Sequence, residues 1–409
     1  MLKPQFQSRH ALALLVVTAL ATAMTSCSSQ EKTSESASQD VPASKTADST
    51  NAPHWSSKMQ ELSHALNQLL PLVADGKAFN DPKNEQPIQD ATSRLKALSH
   101  QVKTLKKPSA DPAFDSIASM LDEDLARAVV SLQTGNKDYA RLTLRESIGY
   151  CIQCHTQTKS GPSFPKLELG FDPSKLSALG QGDYYAATRQ FDAALDAYRK
   201  GVQDQSYADR DIFGWERAVR SGLAIAIRYK ENPAEAKTFI QSILKNKSAP
   251  QSLKDSAKDW LASVEQWAKE PKLKSAADSR LTRAEGLIKG AEKRSGDSIR
   301  RSEDITYLRA SADLHQWLSE GSKDPAQRSK ALLYAGIAAE ATRELNFWTL
   351  HERYYELCIQ ASPKTPTAQS CYGKLSDSVL LGYTGSSGLH LPEEEKVRLD
   401  RLKALAFGL

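Results

Sequence analysis

The chain has 409 residues, enough for two or three domains of ordinary size. It is 40% apolar and 25% charged, the composition of a folded globular protein. Its formal net charge of +5 falls to +3 once Lys3 and Arg9 of the N-terminal segment are set aside, too mild to point to nucleic acid or to an anionic membrane surface as partner.

Residues 1–26 read as a targeting segment. Lys3 and Arg9 form a positive start, and Ala11 to Met24 is an apolar run of 14 residues, too short for a comfortable membrane span. The run ends in Met24-Thr25-Ser26-Cys27. This resembles the lipobox of bacterial lipoproteins, in which small residues precede a cysteine that is diacylated and becomes the new N-terminus; Met24 stands where Leu is commoner. The resemblance implies lipidation at Cys27, with an ordinary secretory signal as the alternative. Residues 27–53 are polar and nearly free of large apolar side chains, so they read as a disordered tether with a reach of roughly 25–30 Å. Ser28 follows the cysteine where Asp would mark retention in the inner membrane, which favours the outer membrane, with the protein facing the periplasm. Export places the remaining cysteines in an oxidising compartment, where Cys151 groups with Cys154 and Cys358 with Cys371.

Four helical stretches fill residues 54–160. Apolar residues spaced by three and four form one stripe in each. The first carries Trp55, Met59, Leu62, Leu66, Leu69 and Val73, and the second begins near Pro87 and continues through Leu95, Leu98 and Val102. Asp111-Pro112 opens the third, a cap followed by a first-turn proline, and Gly135-Asn136 precedes the fourth. Four such helices predict an antiparallel four-helix bundle. Residues 161–176, rich in Gly, Pro, Ser and Lys, read as a linker. From 177 to 409 helical patterns resume. The segment from Gly182 to Tyr198 resembles a tetratricopeptide repeat, with Tyr185, Phe191, Ala194 and Tyr198 at its packing positions. Further helices are expected at about 208–229, 232–246, 251–268, 278–293, 303–319, 325–343, 346–360 and 366–380. The expected fold class is all-α: a haem-carrying bundle followed by a tetratricopeptide-like solenoid, with a generic helical array as the alternative.

The strongest chemical signal is Cys151-Ile152-Gln153-Cys154-His155. CxxCH spacing lets two thiols add across the vinyl groups of one haem while the adjacent histidine reaches the iron. A thioredoxin-like dithiol needs a βαβ context that is missing, and a zinc site needs four ligands where three are supplied. The cofactor expected is therefore a single covalent haem c. A CxxCH that closes the last helix of a bundle resembles the cytochrome c′ family and its low-spin relatives, over residues 54–160. The resemblance implies Cys151 and Cys154 as attachment points, His155 as proximal ligand, and a distal position facing the first helix. An up-down bundle brings the start of the first helix beside the end of the fourth, which makes Met59 the leading candidate for a distal ligand, ahead of His64 and Met120. Core filling by Met59 is the competing reading, and an open iron is then expected.

Arg141 and Arg145, four apart, read as a solvated face, with pairing to haem propionates as the alternative. Cys358 and Cys371 flank a loop between two helices and are expected to form a disulfide. The glycines of 382–388 follow no strand, so a packed loop is expected there rather than a nucleotide site. No catalytic set stands out, and no enzymatic activity is expected. The functional expectation is a membrane-tethered electron carrier that meets an unidentified redox partner and docks protein through its repeats. A gas-binding cytochrome with open iron, and a repeat scaffold with an accessory haem, are the alternatives.

Overall fold

Helix follows helix along the chain because almost every segment repeats its apolar residues at three and four. The computed structural model describes residues 52–105, 109–157, 159, 172–271, 277–295, 303–321, 324–342 and 349–409. Cys27, the tether and most of the 161–176 linker lie outside the described residues. The helices of the N-terminal part are α1 (Ala52–Ala74), α2 (Gly76–Asn80), α3 (Glu85–Thr104), α4 (Ala113–Gln133) and α5 (Lys137–Gln157). Those beyond the linker are α6 (Ala178–Ala187), α7 (Phe191–Gln203), α8 (Gln205–Arg210), α9 (Ile212–Leu223), α10 (Pro233–Lys245), α11 (Gln251–Trp267), α12 (Ala277–Ser295), α13 (Asp304–Glu320), α14 (Pro325–Ala341), α15 (Leu350–Ala361), α16 (Pro366–Gly382) and α17 (Glu393–Phe407). The described chain is all-α apart from a hairpin of two-residue strands, Thr384–Gly385 and Gly388–Leu389.

The caps foreseen from sequence are in place. Asp111 Oδ1 accepts the Ala113 backbone N–H at 2.9 Å at the head of α4. Gly135 ends α4 at φ +78°, in the left-handed region that favours glycine, and Asn136 Oδ1 accepts the Tyr139 N–H at 3.3 Å to start α5. α1 packs on α3, α3 on α4, α4 on α5, and α1 on α5. Arg141 of α5 donates through Nε to Val73 O at 2.9 Å and through Nη2 to Ala74 O at 3.2 Å, so the start of α5 lies beside the end of α1.

Beyond the linker, α6 and α7 form the hairpin of the repeat-like segment. Phe191, Ala194 and Tyr198 are buried and Tyr185 is half-buried. A Cβ at Gly182 would lie 2.4 Å from the Tyr198 ring, so the two helices meet closely only because this position has no side chain. Sequence neighbours continue to pack, α10 on α11, α12 on α13, α13 on α14, α14 on α15 and α15 on α16. Cys358 of α15 and Cys371 of α16 are buried and joined by a disulfide, with Cα atoms 6.3 Å apart.

Several details differ from the expectation. The single helix expected over 208–229 is interrupted at Asp211, whose Oδ1 caps α9 by accepting the Gly214 N–H at 3.1 Å. Its last turns widen into a π-helix over Ala224–Tyr229. Residues 381–390 are exposed rather than packed, because a run of Gly, Ser and Thr offers little apolar surface to bury. α2 and α17 are additional helices. Two hydrophobic clusters form the interior, and neither stops at the linker. The first joins α1–α5 to α6–α11 and to Ile305 and Leu308 of α13. The second adds Ala113, Ile117 and Tyr150 to α12–α17.

Candidate functional site around the CxxCH turn

Cys151, Cys154 and His155 occupy the last two turns of α5. At i, i+3 and i+4 they share one helical face. Neither cysteine forms a disulfide. Cys151 packs against the first hydrophobic cluster and Cys154 against the second, so the turn lies where the two cores meet. Burial pushes the Cys151 thiol up to about 11, which keeps it protonated and away from thiolate redox or bare-metal chemistry. Among the described residues no group of three or more His, Cys, Asp or Glu side chains is placed to hold a bare metal ion.

His155 is held neutral. Burial first, then the Arg189 guanidinium, lower its pKa to about 3, against a small opposing hydrogen bond with the Ala186 backbone. Its Nδ1 is buried with no hydrogen-bond partner among the described residues, and so are both polar atoms of the Gln157 side chain two residues on. Buried polar groups without partners are costly and rare. Their concentration at the end of α5 fits a site completed by a bound group, and a neutral imidazole is the form that ligates iron. The donor set therefore fits haem c.

Two buried arginines from distant segments close on this turn. Arg189 Nη1 donates to the His155 carbonyl at 3.0 Å. It sits in the tight turn between α6 and α7 at φ 58°, left-handed backbone that costs a non-glycine residue roughly 1–2 kcal/mol, and it is braced over the rings of Phe191 and Tyr229. Arg228 comes from the π-helix, whose wider turns bury Ile225, Ala226, Ile227 and Arg228 consecutively. Its Nη2 donates to Gln153 Oε1 at 2.6 Å and to Thr156 Oγ1 at 3.1 Å. Gln153 is the second variable residue of CxxCH, and its inward orientation is set by this bond. Burial lowers the Arg228 pKa to about 10, so the guanidinium stays charged at neutral pH.

Arg228 and Gln153 also line a water-sized cavity of about 10 Å³ with His315 and Tyr354. There, His315 Nδ1 and Asp111 Oδ2 are 2.6 Å apart, and the Tyr354 hydroxyl lies 3.4 Å from Asp111 Oδ1. Burial first, then Asp111, pushes the Tyr354 phenol far above its ordinary range.

The bond between Arg141 and the end of α1 sets the level of Met59. His155 lies 14 residues beyond Arg141 and Met59 lies 14 residues before Val73, so both stand about 21 Å from that bond along antiparallel helices. Met59 is half-buried against the cluster that takes Cys151. The hydrogen bond from the Tyr150 hydroxyl to Asp124 brings Met120 of α4 level with Cys154, on the side of the second cluster. His155 is hydrogen-bonded to the Ala186 backbone at the end of α6, and α6 also packs on α1, the helix that carries Met59. His64 is exposed. Arg141 and Arg145 are half-buried in a different part of α5 and do not belong to this site.

Sequence reading missed Arg189, Arg228, Gln153, His315 and Tyr354. One signal was available: an arginine inside the apolar run Ala224-Ile225-Ala226-Ile227-Arg228 must find buried partners. Comparison with protein-family models, with curated proteins and with solved structures found no match to this chain.

Proposed function

We propose that this chain is a lipid-tethered mono-haem c-type cytochrome of the bacterial envelope, similar in its N-terminal bundle to cytochrome c′. Its tetratricopeptide-like helices dock a protein partner. The observation that carries the reading is CxxCH on one face at the end of α5, with a neutral, half-buried His155 whose buried Nδ1 lacks a partner among the described residues. Cys151 and Cys154 would hold the group through thioethers and His155 would ligate it; haem iron supplies single-electron exchange. Met59, level with His155, is the proposed distal ligand. Arg189 and Arg228 place two guanidinium charges beside the turn, which favours the state with one electron more.

Absorption spectra of oxidised and reduced protein, made in a host that matures c-type cytochromes, test this reading. Sharp low-spin haem bands are expected in the reduced form. A high-spin spectrum would favour gas binding at an open iron, and a chain without haem bands would overturn the proposal.

A further inference from the structure

Arg141 and Arg145 project about 15–21 Å along α5 from His155. They line a solvent-open cleft of about 640 Å³ between the α1–α2 turn, α5 and the α8–α9 junction, with Lys77, Arg210, Asp75 and Asp211. Four cations there face two carboxylates, and both carboxylates are already engaged. Asp75 Oδ1 accepts the Lys77 backbone N–H at 2.8 Å. Asp211 pairs with Arg145 and caps α9.

Lys77, Arg141 and Arg210 are left with no carboxylate in ion-pair contact among the described residues. Arg141 is nonetheless held in place. Its Nε and Nη2 rest on the last carbonyls of α1, leaving Nη1 without an acceptor among the described residues. A Cβ at Gly76 would lie only 3.4 Å from its Cζ, so the backbone of the turn backs the guanidinium. Arg210 is braced in the same manner, through Nε to Ser206 O and Nη2 to Ser206 Oγ, each at 3.0 Å, and over the Tyr207 ring. Burial first, then the neighbouring Arg145, lower the Arg141 pKa, against the opposing pull of Asp211, Asp75 and Asp138.

We propose that this cleft binds a compact dianion, a phosphate monoester or a dicarboxylate, through Arg141, Arg210 and Lys77. Two fixed guanidinium forks suit an oxyanion, because each can present parallel N–H donors to paired oxygens. An excess of two positive charges matches a doubly charged ligand. The volume leaves room for a small organic body beside the charged group, and the Asn80 amide on the same wall can bond to it. The site is independent of the haem reading, since none of its residues touches the CxxCH turn.

Titration calorimetry on the mature, full-length protein at low ionic strength tests it, with glycerol phosphate, inorganic phosphate and succinate as separate probes and sodium chloride as control. One-to-one, saturable binding of at least one dianion is expected, and the probe that binds separates the phosphate source from the carboxylate one. R210Q and R141Q should each weaken binding at least tenfold. R141Q also removes the brace on α1, so the exposed pair R210Q and K77Q carries the test if R141Q unfolds. Absence of binding at millimolar dianion, equal displacement by chloride at matched ionic strength, or unchanged affinity in the R210Q/K77Q double variant would each overturn the proposal.

Discussion

Met59 and His155 carry the sharpest residue-scale expectations. With haem attached, Met59→Ala should convert a low-spin spectrum to a high-spin one and lower the reduction potential, because a thioether ligand favours ferrous iron. Met120→Ala, on the Cys154 side, should leave both unchanged. A variant at Met59 that keeps its spectrum makes that residue core filler. His155 has a second consequence, for the chain before haem attachment. Its folded pKa of about 3 lies below the ordinary 6.5. Between those values the unfolded chain binds a proton that the folded chain refuses, so the contribution of this group to stability is complete above about pH 6.5 and is lost as pH falls toward 3. Urea midpoints of haem-free wild type and His155→Gln across that window should diverge, with the variant showing the shallower dependence by up to one proton. Parallel curves would mean that His155 is not buried neutral.

At the scale of the element, periodicity made the helices legible and contact across the chain stayed hidden. The stripe Leu62, Leu66, Leu69 and Val73 is buried in α1, as spacing required. The glycines show the limit. A Cβ at Gly182 meets the Tyr198 ring at 2.4 Å, whereas one at Gly286 on α12 meets nothing within 4 Å. Both sit inside helices, so sequence alone treats them alike. Gly182→Ala is expected to cost about 1–3 kcal/mol through overpacking, and Gly286→Ala to be neutral or to stabilise by up to about 1 kcal/mol. Denaturant unfolding of the two variants checks the contrast, and equal effects would contradict the close approach of α6 and α7. The π-helix is a further case. An added residue in a turn leaves the apolar pattern of Ala224–Tyr229 intact while changing where Arg228 points, and the partners of Arg228 lie more than 70 residues away. Arg189 is likewise brought to His155 by a left-handed turn that nothing in its composition announces.

For the whole molecule, the linker-like composition of 161–176 suggested two separate bodies, yet both hydrophobic clusters draw residues from each side of it. Amphipathic stripes tell that a face is buried but not what covers it, and here helices from beyond the linker cover the outer faces of α4 and α5. The CxxCH turn is therefore packed on several sides by chain that a stand-alone bundle would lack, including Arg189, Arg228 and Tyr354. The proposed lipid tether belongs to this scale also. Among the described residues no helix is long and apolar enough to cross a membrane. Cys27→Ala is expected to shift the protein from the membrane to the soluble fraction, and unchanged fractionation would contradict lipidation at that residue. The central claim is covalent haem at Cys151 and Cys154. The most direct measurement is the intact mass of the protein after full unfolding, for wild type and for the Cys151→Ala/Cys154→Ala variant, both made in a host that matures c-type cytochromes. The account predicts that wild type retains the mass of one haem and the variant retains none; a wild-type chain carrying no covalent haem would contradict it.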